Sequence, residues 1–185
     1  MKIFALYIKI KLTEKPKWFD GFVEKYFEPV DLHITLIQPR YIKEEQISDL
    51  QARVEEVLRV FDIREDDKKI SFDKLIIDKG SDSKYIFMLN TREGSFIGNF
   101  QKELKSALKD WDLFVDNVTK EYEINFKPHI TIAVNLDGHM KEEAGKYFIE
   151  DYRFEGVLEE LVLPLVKDQS LEERKNIDNQ KIFKL

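Results

Sequence analysis

Hydrophobic and polar residues change their period several times along this chain of 185 residues, and each change marks a predicted element. The opening "KIFALYIKI" (2–10) is β-branched and aromatic, as a buried strand requires. In "TEKPKWFDGFVEKYFEP" the apolar residues Trp18, Phe19, Phe22, Val23, Tyr26 and Phe27 recur at helical spacing, with Thr13 as the expected N-cap and Pro29 as the stop. The strand "LHITLIQ" follows. Residues 44–61 then form an amphipathic helix with Ile47, Leu50, Val54, Val57, Leu58 and Phe61 on one face. Two strands, "KISFDKLIID" (69–78) and "KYIFMLN" (84–90), flank the turn-like "KGSDS". A helix over 94–110 carries Phe96, Ile97, Phe100, Leu104, Ala107 and Leu108, and a polar loop leads to the strand "HITIAVN". A shorter helix near 139–149, the long strand region "YRFEGVLEELVLPLV" and a closing "KIFKL" complete the pattern.

No linker or low-complexity segment divides the chain, so residues 1–185 are expected to form one domain. Its two halves echo each other, each arranged around one His-x-Thr strand. The motif histidines, His33 and His129, lie about half the chain apart. Strands and helices mixed in this way predict an α+β fold of two similar lobes, with helices on the outer faces of the sheets.

Composition narrows the chemistry. The chain has no cysteine, which excludes disulfides, thiolate metal sites and a cysteine nucleophile, and which suits the cytoplasm. The run "IFALYI" is too short and too soon interrupted by Lys9 and Lys11 for a signal peptide or membrane span, so no membrane association is expected. A net charge of −6 argues against broad binding to duplex nucleic acid, but is compatible with one small basic cleft.

The chemistry resides in "DLHITLIQPR" (31–40) and "KPHITIAVN" (127–135). Residues i and i+2 of a strand share a face, so His33 and Thr35 look one way and Leu32, Ile34 and Leu36 the other; His129 and Thr131 repeat this against Ile130 and Ile132. A single His-x-Thr means little. With three histidines and five threonines in the chain, the chance of two such pairs is on the order of one in several hundred. Two imidazoles and two hydroxyls meeting in one cavity suit phosphoester chemistry. One ring takes a proton as an oxygen attacks phosphorus, the other gives one to the departing oxygen, and the hydroxyls hold the non-bridging oxygens. Neither a metal nor another cofactor is required.

"HITL" (33–36) and "HITI" (129–132) resemble the paired His-x-Thr/Ser-x motifs of the two-histidine (2H) phosphoesterase superfamily, and the proline of "PHITI" is usual there. The nearest branch in style is the 2′-5′ RNA ligase-like, RNA 2′,3′-cyclic phosphodiesterase group. The resemblance implies a bilobal two-sheet fold with internal pseudo-two-fold symmetry and a central cleft holding both motifs. It also implies metal-independent action on an RNA terminus or nucleotide bearing a 2′,3′-cyclic or 2′-5′ phosphodiester. His129 would activate water, His33 would protonate the leaving ribose oxygen, and a 2′-phosphate would result. Where that branch often has an arginine after the second motif, this chain has Val134 and Asn135. "IQPRY" follows the first motif in place of Phe-Leu-Gly, and "NIDNQKIF" replaces a Gly-x-x-Tyr pattern near the end.

Around the motifs, Arg40 and Lys127 are candidate phosphate-binding residues, and Tyr41 a candidate base-stacking residue. His139 has no threonine partner and reads as a surface residue; the "EEQ" and "EER" stretches read as solvated helix faces. A monomer is expected. The alternatives are cleavage or joining of 2′-5′ linkages, a nucleotide-binding module without turnover, and a structural domain whose histidines only satisfy buried hydrogen bonds.

Overall fold

In β1 (Lys2–Glu14) Phe4, Leu6, Ile8 and Ile10 are buried, whereas the intervening Tyr7 and Lys9 are half-buried. One face of the strand therefore belongs to the core and the other to a more open surface. β2 (His33–Ile42) begins the same way, with Ile34 and Leu36 buried and His33 and Thr35 half-buried. The computed structural model describes residues 1–26, 31–77, 85–89, 96–133, 136–147 and 154–185, and the side chains of residues 73–77, 85–89, 141 and 144 are not among them.

The strands join into one seven-stranded antiparallel sheet. Its order is β2-β1-β6-β3-β4-β5, where β3 is Lys69–Ile77, β4 Tyr85–Leu89, β5 His129–Ala133 and β6 Phe154–Val166. β6 is the seam between the halves. One edge runs along β1; the other pairs first with β3, over Phe154–Val157, and then with β7 (Gln180–Lys184). Gly156 marks the tightest approach, since a Cβ there would lie 2.9 Å from the Lys11 carbonyl oxygen.

The motif strands β2 and β5 form the two ends of the strand order, yet their Cα atoms approach within 8 Å. The sheet is therefore curled until its ends nearly meet, with His33 and Thr35 on one margin of the resulting cleft and His129 and Thr131 on the other. Helices cover the outside crosswise. α1 (Phe19–Tyr26) follows β1 but packs against β5, and its Phe19 and Phe22 meet Phe154 and Tyr147 at ring separations of 5.1 and 5.7 Å. α3 (Phe96–Ala107) and α4 (Asn117–Ile124), from the second half, pack against β2. α2 (Ile47–Val60) lies on α3, with Phe61 against Phe100.

Four details differ from the sequence expectation. Thr13 caps no helix, because β1 continues to Glu14 while pairing with β6, and α1 starts only at Phe19. The expected polar loop before the second motif contains α4, capped by the Asp116 carboxylate, which accepts from the Thr119 amide. Val118, Tyr122 and Ile124 of α4 are exposed and Glu123 is buried, so its sequence lacks an inward apolar stripe. A short α6 (Leu171–Lys175) precedes β7, and α5 (Gly138–Gly145) ends earlier than expected. Phe27, Pro29, the "KGSDS" turn and the end of the "HITIAVN" strand lie outside the described residues. Among the described residues, no helix is long and apolar enough to cross a membrane.

Glu123 explains α4. Its carboxylate pairs with the buried Arg40 guanidinium of β2 and also accepts the Gln38 amide at 3.0 Å. Arg40 further donates to the carbonyls of Leu108 and Trp111 and lies over the Phe114 ring. Removing one partner of such a pair leaves an uncompensated buried charge, at a cost of about 3–5 kcal/mol. Glu123→Ala should therefore lower the urea-unfolding free energy by roughly that amount; a loss below about 1 kcal/mol would show that the pair does not hold α4 to the sheet.

Candidate active site

The sequence around each motif sets its histidine in the same way. His33 Nδ1 is 2.8 Å from the Asp31 carbonyl oxygen, and His129 Nδ1 is 2.7 Å from the Lys127 carbonyl oxygen. A carbonyl only accepts, so Nδ1 bears the hydrogen, and in the neutral ring Nε2 holds the lone pair. Both imidazoles thus enter the cleft in the same tautomer. The rings are near enough that the charge of His129 disfavours protonation of His33.

His33 is half-buried on its margin of the cleft, so water still reaches the ring although protein surrounds most of it. Burial is the largest cause holding its pKa below the ordinary 6.5. The hydrogen bond to Asp31 opposes this, while the fields of Arg174 and His129 reinforce it. Arg174 belongs to α6. Its carbonyl accepts from Gln180 Nε2 at 2.9 Å, and Gln180 lies opposite Pro164 in the β6–β7 pair. Within that pair Val162 stands two residues from Pro164 and is itself opposite Tyr7, so α6 is tied to the sheet beside the first motif. Its charge also reaches Tyr7, whose phenol is pushed up to about 12 by burial and by Asp31 against the opposing pull of Arg174.

Tyr7 is the β1 residue opposite Thr35, and Lys9 is opposite His33. Lys9 Nζ pairs with the Asp31 carboxylate at 2.8 Å, so the residue whose carbonyl orients His33 is itself held from β1. A cavity of about 630 Å³ opens beside this pair, lined in part by Leu32, Glu160 and Lys184. Among the described residues, no group of three or more His, Cys, Asp or Glu side chains is arranged to hold a metal ion.

The structure thus draws His33, Thr35, His129 and Thr131 towards one cleft. Arg40 is a correction: it is 2 % exposed and turned to the outer face, committed to Glu123, and cannot meet a phosphate in the cleft. Its parity carried the warning, because Arg40 is seven positions after His33, an odd step, and the two irregularities of β2 between Thr35 and Arg40 leave that parity unchanged. Tyr41 lies at the far end of β2, opposite Ile3, and its amide donates to the Leu113 carbonyl; four strand residues on β1, roughly 13 Å, separate it from the Thr35 register. The Lys127 side chain is exposed, and its carbonyl holds His129. His139 is exposed on α5. Tyr7 and Arg174 went unread in the sequence. Tyr7 shares the period-2 face of Lys9 inside an apolar strand, a visible signal, whereas Arg174 reaches the site only through the β6–β7 fold-back.

Comparison with known proteins agrees with this geometry. The family model described as the 2′-5′ RNA ligase superfamily matches residues 15–164. Among solved structures, Escherichia coli LigT, complexed with 3′-AMP, superposes with a TM-score of 0.52 at 13% identity, covering 100% of this chain and 95% of that one. Kluyveromyces marxianus Usb1 superposes with a TM-score of 0.51 at 9% identity, covering 99% of this chain and 98% of that one. Its form with uridine monophosphate gives 0.51 at 10% identity, covering 97% and 98%. Comparison with curated protein sequences returns no match. With the family model spanning most of its length, and two His-x-Thr strands brought to one cleft of a curled sheet, the chain belongs to the 2′-5′ RNA ligase superfamily of 2H phosphoesterases.

Proposed function

We propose that the protein is a metal-independent phosphodiesterase that opens a 2′,3′-cyclic phosphate on an RNA end or nucleotide to leave a 2′-phosphate. The observation that carries this reading is the pair of imidazoles in matched tautomers on the two margins of one cleft. Bound 3′-AMP in LigT and uridine monophosphate in Usb1 support a nucleotide as the ligand class.

In the forward direction His129 Nε2 takes a proton from water as the water oxygen attacks phosphorus. The bond from phosphorus to the ribose 3′ oxygen breaks, and His33 gives its proton to that oxygen. Thr35 and Thr131 donate to the non-bridging oxygens, and exchange with solvent resets both rings. The depressed pKa of His33 leaves it neutral in the free protein near pH 7. A bound phosphodiester anion favours the imidazolium, so the proton His33 donates is taken up with substrate. Arg174 adds positive charge on the same side of the cleft. The family description favours one further reading, cleavage or joining of 2′-5′ linkages; turnover of 2′-5′ oligoadenylate exceeding that of nucleoside 2′,3′-cyclic phosphates would select it.

The test is an assay against the four nucleoside 2′,3′-cyclic monophosphates with excess EDTA, resolving 2′- from 3′-phosphate. Undiminished turnover to the 2′-phosphate is expected, with His33→Ala and His129→Ala each lowering kcat about 10²- to 10⁴-fold in a folded protein; full activity in either variant overturns the proposal. The alkaline limb of kcat/KM, which reports the free protein, should lie below 6.5 and below the alkaline limb of kcat. Arg174→Gln should move the His33 midpoint upward in an NMR titration, since the arginine opposes protonation; a fixed or lowered midpoint would remove Arg174 from the site.

A further inference from the structure

The two motif histidines share sequence, strand position and Nδ1 contact, but the strands beside them differ. Opposite Thr35 stands Tyr7 on β1; the matching register position opposite Thr131 is Ile86 on β4. The Tyr7 and His33 ring centroids are 4.7 Å apart with planes inclined at 48°. This is the diagonal cross-strand contact that an aromatic side chain can span. An aromatic face is electron-rich and attracts a cation, more strongly where water is excluded.

We infer that Tyr7 is a positioning residue for His33: its ring packs against the imidazole and favours the protonated form. The internal near-symmetry of the site is broken at this register. Because burial and Asp31 keep the phenol protonated, the ring facing His33 is uncharged throughout the working range. The other charged groups about His33 are Lys9 of β1, paired with Asp31 and near Glu160 of β6, together with His129 of β5 and Arg174 of α6. All remain when Tyr7 is replaced, so a change in His33 titration reports the ring.

The kinetic arm of the test rests on the phosphodiesterase reading, whereas the titration arm does not. The Cε1–H signals of the three histidines are followed against pH in the wild-type protein, Tyr7→Leu and Tyr7→Phe. Tyr7→Leu should lower the His33 midpoint by about half a pH unit, a roughly threefold loss of proton affinity, and leave His129 in place. It should lower kcat by up to about threefold with little change in KM, and Tyr7→Phe, which restores the ring, should recover most of both losses. An unchanged His33 midpoint in Tyr7→Leu overturns the inference, as does a Tyr7→Phe protein as impaired as Tyr7→Leu. Should Tyr7→Leu fail to fold, Tyr7→Met is the second aliphatic variant, with the same expected shift. If the wild-type protein hydrolyses no cyclic phosphate, the titration still decides the role of Tyr7, and the failure belongs to the activity reading alone.

Discussion

Everything at the site depends on the crosswise apolar cover of the curled sheet. An antiparallel sheet twists by itself, but twist does not bring its two end strands face to face. Here the helix that follows β1 packs on β5, and the helices that precede β5 pack on β2. Ile34 and Leu36 on one motif strand, and Ile130 and Ile132 on the other, are each fully buried beneath this cover. Burying such side chains stabilises by about 1.5–3 kcal/mol apiece, and on each of these strands that contribution requires helices from the opposite half. Opening the cleft would expose those residues, so the same burial that stabilises the fold keeps the two histidine strands close to each other.

Polar contacts refine what the apolar cover sets. The Arg40–Glu123 pair fixes α4 to β2 and, with the main-chain bonds between residues 39–41 and 113–115, closes the exposed edge of that strand. On the other face, Lys9 holds Asp31, whose carbonyl holds His33. Each imidazole is thus oriented by the main chain two residues before it. Its tautomer is decided by local backbone geometry, and the proton affinity of His33 by burial and by charges from other elements. Identical local motifs give both rings the same main-chain contact, and His33 has in addition the Tyr7 ring beside it and the field of Arg174.

Little sequence identity is needed to keep such a construction. The superposed structures share 13% or less with this chain while covering nearly all of it. What the curled sheet demands is alternation with apolar residues on one face, a place for the seam strand to change partners, and a small residue such as Gly156 where strands crowd. Many side chains satisfy those demands. By contrast, a proton-transferring pair near neutrality admits few residue types besides histidine.

The period-2 spacing of His33 with Thr35 and of His129 with Thr131 was legible without coordinates, because a strand's geometry assigns faces residue by residue. The helices with a wide apolar stripe, α2 and α3, were legible for the corresponding reason at period 3.6. α4 was not, since its buried residue is a glutamate whose partner lies 83 residues away. Arg40, although close to a motif in the chain, went to the core with that glutamate. The field of Arg174, distant in the chain, reaches His33, and its helix is tied to β7, which folds back along β6. Sequence alone determined which groups are the candidates for the chemistry and which strand face each occupies, since faces follow from covalent geometry. Tertiary structure decided which charges and rings surround them, since proximity across strands depends on register, and no local pattern encodes register between distant segments.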